Sequence, residues 1–219
     1  MFGHCENLNM DISTLARLPT SGPPELLFLL FHGANGSAAD MSALAQRLGD
    51  EYPQSAVLCV DATPEALPTF IAVVRQLQSR FKVGWERTAL FGFAQGATTA
   101  LEAVQLEGNL AGRVLAFSGS HQAAPQHAPQ DTTVHFFHGF EDLIVPYEAT
   151  VVSARRLLAL GGDVTADVMP GIGHELHADL IAKAIEQLRT FLPKKVWQNA
   201  AAEAPLISRV ASSEELGSD

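Results

Sequence analysis

Basic residues are scarce. Lys and Arg number 14 against 24 Asp and Glu, which leaves a formal charge of −10 with His neutral. A surface of that sign repels phosphate backbones, and no cluster of Lys or Arg offsets it, so no nucleic-acid partner is expected. Cysteine is nearly missing. Cys5 and Cys59 make no disulfide framework and fit a reducing, cytoplasmic setting. No apolar run reaches the roughly 18 residues of a membrane span. The opening MFGHCENLNMDIST lacks the basic n-region and apolar run of a secretory signal. Charged residues make up only 17% of the 219 positions, whereas 47% are hydrophobic, enough for one well-buried domain and short for two. One domain over 1–192 is expected, followed by a flexible C-terminal tail over 193–219, where Ala, Ser and Glu recur without periodicity.

What is present is a strict alternation of two patterns. Short apolar runs lie at 25–31, 55–60, 88–93, 113–117, 133–138 and 163–169. They are mostly apolar on both faces, as strands covered on both sides must be. Helical periodicity fills the gaps at about 37–48, 64–82, 95–106, 147–160 and 175–191. Ser37-Ala38-Ala39-Asp40 has the form of a capping box with Asp for the usual Glu or Gln, and Gly161-Gly162 is a helix stop. Alternating strands and helices imply an α/β fold, with a mostly parallel sheet flanked by helices on both faces. Ligands then sit outside the carboxyl ends of the strands.

The residues just past each run therefore carry the interest. Gly92-Phe93-Ala94-Gln95-Gly96 opens a helix and has the shape of a nucleophile elbow, G-x-S-x-G, with alanine at the central position. The central residue of that turn is strained, and its neighbours two places away must lack side chains to avoid the adjacent strands. Taken alone, a plain tight strand-to-helix turn explains the segment equally well. An elbow is followed in chain order by an acid and a histidine, and Asp142 and His174 supply that order at two later strand ends. Asp142 would hold the imidazole tautomer, and His174 would be the general base and then the general acid. The backbone N–H groups of Ala34 and Gln95 would form the oxyanion hole, the latter aided by its helix dipole. His32 and Gly33, ending the first run, are candidates for lining the substrate site.

These segments resemble the phospholipase/carboxylesterase group of α/β-hydrolases, which includes acyl-protein thioesterases and small bacterial esterases. The matching pieces are LLFLLFHGANG, ALFGFAQGA, FFHGFEDLIVP and GIGHEL, together spanning about 26–192. The Gln after the central elbow residue and the pattern G-x-x-D-x-x-V-P, here Gly139 to Pro146, are the most specific. The resemblance implies cofactor-free hydrolysis of a small acyl ester or thioester. It assigns Ala94 to the nucleophile position, with Asp142 and His174 as partners and Ala34 and Gln95 as oxyanion donors. A monomer or homodimer is expected.

Two departures stand out. A methyl group cannot attack a carbonyl, so the chain as written is expected to be inactive or nearly so. A Ser-to-Ala inactive variant of an esterase is the first reading of Ala94. The alternative is a natural pseudoenzyme, a non-catalytic acyl-ligand or protein-binding module. Second, only Asp61-Ala62-Thr63 separates the second run from the next helical pattern, where relatives usually carry a longer aromatic-rich stretch, which implies a shallower acyl site. His174 and His177 are three apart rather than four, the wrong spacing for a zinc helix, and no metal is expected. His177 reads as a solvated helix residue, His135 as a satisfied core residue and His138 as packed near the site. Ser118 and Ser120 read as loop-shaping residues, and Cys59 as buried and inert. His121 and His127 fall in a loop, 119–130, that reads as a flexible surface connection.

Overall fold

The computed structural model describes residues 3–4, 14–60, 66–191 and 193. Eight strands form one sheet: β1 (Gly3–His4), β2 (Thr14–Arg17), β3 (Leu26–Phe31), β4 (Ser55–Val60), β5 (Thr88–Phe93), β6 (Arg113–Phe117), β7 (Thr133–Gly139) and β8 (Asp163–Met169). Their spatial order is β1-β2-β4-β3-β5-β6-β7-β8. Strands β3 to β8 run parallel, and β1 and β2 are antiparallel at one edge. This is the α/β-hydrolase fold.

Side-chain alternation in the strands assigns the helices to faces. Leu27, Leu29 and Phe31 point to one side with Leu58, Leu90, Val114 and Phe136. They meet α2 (Leu67–Phe81), α3 (Gln95–Leu106) and α4 (Tyr147–Ala159). Phe28, Leu30, Phe91, Leu115 and Phe137 point to the other side, against α1 (Ser42–Glu51) and α5 (Ala178–Thr190). Strands apolar on both faces are what a sheet with two helical covers requires.

Four of the six expected strands have the boundaries read from the sequence. The edge pair β1–β2 was not among them. Helix boundaries needed more correction. The segment before α1 is a 3-10 turn over Ala38–Met41, entered through Ser37, whose N–H donates to Asp40 Oδ2 at 2.7 Å. Helix α5 begins at Ala178 rather than 175. His177 is its N-cap and accepts from the Asp179 N–H at 3.2 Å, so it terminates a helix rather than decorating one. Helix α4 ends as Gly161-Gly162 implied: Gly161 takes φ 84°, and Gly162 N–H returns to the Leu157 carbonyl at 2.9 Å.

The 119–130 loop is tied down rather than loose. Gln122 N–H reaches Glu102, Arg156 reaches the Pro125 carbonyl, and His121 is buried with its N–H on Ser153 Oγ. The short 61–65 segment and the 194–219 stretch lie outside the described residues.

Candidate active site

Strand β5 ends at Phe93, and Ala94 makes the reversal into α3 with φ 50° and ψ −113°. That is a positive φ on a residue with a Cβ, a conformation costing roughly 1–3 kcal/mol. The Ala94 N–H is anchored on the Phe117 carbonyl at 2.9 Å. The flanking glycines are required, but for different reasons. A Cβ on Gly96 would lie 2.6 Å from the His32 carbonyl oxygen and closer to that of Phe31, at the end of β3. A Cβ on Gly92 would strike the backbone of Gly96 and Ala97 in its own turn, not the adjacent strand expected from the sequence.

The β3 loop runs alongside. A Cβ on Gly33 would be 3.3 Å from Ala94 Cβ, and the Gly36 N–H closes a turn on the Gly33 carbonyl at 3.1 Å, with Ala34 inside that turn. Gln95 opens α3, so its N–H precedes the helical ladder and carries the positive end of the dipole. His32 is buried, with Nδ1 2.7 Å from the Gly33 carbonyl; since a carbonyl only accepts, that nitrogen holds the hydrogen.

Asp142 and His174 meet. His174 Nδ1 lies 2.7 Å from Asp142 Oδ2; the Asp142 side chain is fully buried, and that of His174 is 16% exposed. Asp142 Oδ1 accepts the N–H groups of Val145 at 2.8 Å and Ile144 at 2.9 Å. Burial opposes charge on this carboxyl, but the Val145, His174 and Ile144 donors outweigh it and hold its pKa below the ordinary carboxylate value. The two loops are also joined directly. Glu141 N–H donates to the Ile172 carbonyl at 3.0 Å, and Ile172 N–H donates back to Glu141 Oε2 at 3.1 Å.

Phe93 and Glu141 were not identified from the sequence, and His138 was read only as packed near the site. Phe93 packs its ring on His174, 4.8 Å between centroids. Glu141 ties the two loops as described. His138, fully buried at the end of β7, also approaches Asp142, with Nε2 3.2 Å from Oδ2. Its place at a strand end before Gly139 is the signal that put it near the site.

His135 and Cys59 follow the sequence reading. His135 is a satisfied core group between Arg113 at 3.0 Å and Thr165 Oγ1 at 2.8 Å, and burial depresses its pKa to about 3. Burial pushes the Cys59 thiol up to about 12, so it stays protonated. A cavity of about 710 Å³ lies at the opposite end of the sheet. Its lining includes Arg113, Thr133 and Asp163, the first residues of β6, β7 and β8.

Comparison with known proteins identifies the family. The phospholipase/carboxylesterase family model matches residues 52–192. Esterase YpfH of Escherichia coli (strain K12) is 32% identical over 204 residues, covering 81% of this chain and 88% of the relative. Acyl-protein thioesterase 1 of Gibberella zeae is 33% identical over 119 residues, about half of each chain (51% and 49%). Among solved structures, esterase PE8 superposes with a TM-score of 0.74 at 24% identity, covering 84% of this chain and all of that one, a likeness of fold. By its family match, its sheet and its full-length relative, the chain is a member of the phospholipase/carboxylesterase family of α/β-hydrolases.

Proposed function

We propose that this chain is a serine carboxylesterase-type hydrolase of carboxylic esters or thioesters, disabled at the nucleophile position by Ala94. The observation that carries the reading is the 2.7 Å bond between Asp142 and His174, kept beside an elbow that retains its strain and both glycines. A Ser-to-Ala replacement accounts for all of this with one changed residue.

With serine at position 94 the steps follow from the geometry. Asp142, ionised, accepts the Nδ1–H of His174 and so leaves Nε2 bare to take the hydroxyl proton. The alkoxide attacks the substrate carbonyl, and the resulting oxyanion receives the N–H groups of Ala34 and Gln95. Collapse expels the alcohol or thiol, which takes the proton from His174. Water, deprotonated by His174, then hydrolyses the acyl-enzyme. His32 and Gly33 line the approach to the carbonyl.

The test compares the chain with its Ala94→Ser variant on a short-chain chromogenic ester. Serine should raise turnover by about 10⁴- to 10⁶-fold, and His174→Ala in that variant should abolish the gain. No gain with serine leaves Ala94 as the mark of a non-catalytic acyl-ligand or protein-binding module, the second reading.

A further inference from the structure

Asp142 Oδ2 is shared between two imidazoles: His174 Nδ1 at 2.7 Å and His138 Nε2 at 3.2 Å. The second has no place in the proton path. His138 is sealed from solvent, and its Nε2 also lies 2.9 Å from the Val145 carbonyl. Both neighbours of Nε2 are acceptors only, so this nitrogen carries a hydrogen; it bonds the Val145 carbonyl and stands 3.2 Å from Asp142 Oδ2. Nδ1, bare in this tautomer, faces the Thr150 hydroxyl at 2.7 Å, whose single hydrogen lies between it and the Gly119 carbonyl at 2.8 Å. The ring is thereby fixed at both ends, from β7 through α4 to the loop after β6.

We propose that His138 is a positioning residue: its Nε2–H holds the Asp142 carboxylate in the plane that meets His174 and draws off part of its charge. Burial, the largest influence, lowers the His138 pKa, with Val145 and Asp142 opposing it. The ring is then a neutral donor that does not compete for the charge of Asp142. The proposal rests on the hydrolase reading above, in which Asp142 serves His174.

Its signature is a pH profile. Without the His138 donor, more of the Asp142 charge falls on His174, whose protonated form is favoured. The base is then captured by protons at higher pH. Among the described residues, the groups around this pair are His138 from β7, Glu141 from the Asp142 loop, and the uncharged Thr150 from α4 and Phe93 from β5.

The experiment is the pH dependence of kcat/KM for Ala94→Ser alone and combined with His138→Leu or His138→Gln. Leucine should move the acid limb up by roughly half to one pH unit and lower kcat by about tenfold, with KM little changed. Glutamine, whose amide N–H reaches where Nε2 stood, should restore the limb. A limb that stays put in a folded His138→Leu protein overturns the proposal. If leucine prevents folding, Thr150→Val decides by the same readout, since it frees the far end of the ring.

The displacement can also be read without catalysis, from the pH titration of the His174 ring protons by NMR in the chain as it stands. An inactive Ala94→Ser protein therefore counts against the hydrolase reading alone. The His174 titration still decides for or against His138.

Discussion

The imidazole of His174 rests on the ring of Phe93, 4.8 Å apart and tilted by 46°, so the residue that leads into Ala94 is also the floor under that ring. The Asp142 bond fixes the direction of Nδ1 but leaves the ring free to pivot about it. Phe93 removes that freedom.

Phe93→Leu in the Ala94→Ser protein should therefore lower kcat/KM about two- to tenfold, the loss of one aromatic contact. Steady-state kinetics measure this directly. Unchanged kinetics would mean that Asp142 alone orients the imidazole.

Gly96→Ala should destabilise the fold by about 1–3 kcal/mol, because the new methyl meets the Phe31 and His32 carbonyl oxygens and backbone cannot rotate away as a side chain can. Urea denaturation of the two proteins reads the difference. A midpoint within error of the parent would show that β3 and α3 can separate at no cost.

The acid side of the stability curve should carry a contribution from His121. Burial lowers its pKa to about 4, and neither ring nitrogen has a hydrogen-bond partner among the described residues. The unfolded chain takes up this proton near the ordinary histidine value of about 6.5, and the folded chain does so only at the lower one. Stability due to this group is thus complete above about 6.5 and is lost as pH falls toward 4, by at most about 1.4 kcal/mol per pH unit. His121→Leu, filling the same site without a proton to bind, should hold or raise stability at pH 7 and flatten that slope. His135, at about 3, contributes a similar slope that persists in the variant. Denaturant titrations from pH 7 to 4 make the comparison, and an unchanged slope would mean that His121 titrates alike in both states.

The strands were legible because burial on both faces leaves few polar positions in a run. Thr88–Phe93 and Arg113–Phe117 are bounded by the polar and glycine residues that end them. Thr14–Arg17 escaped for the converse reason. It is four residues with Thr and Arg among them, and its strand character comes from antiparallel pairing with β4, a contact that no local pattern announces. The meeting of Asp142 and His174 was legible because both residues sit just past strand ends. The role of His138 was not, since a histidine at a strand end can turn toward core, solvent or loop, and only packing decides. His121 was misjudged on composition: the polar, Pro-rich run around it reads as surface, yet the chain there folds back over Phe136.

The Asp142 and His174 loops are clasped by a reciprocal pair of bonds between Glu141 and Ile172, and none of these bonds involves position 94. In the hydrolase reading, Asp142 and His174 thus sit in a socket whose clasping bonds do not pass through position 94. Cysteine there would present a thiol to the same imidazole, and loss or recovery of a nucleophile leaves the socket's own bonds unaltered.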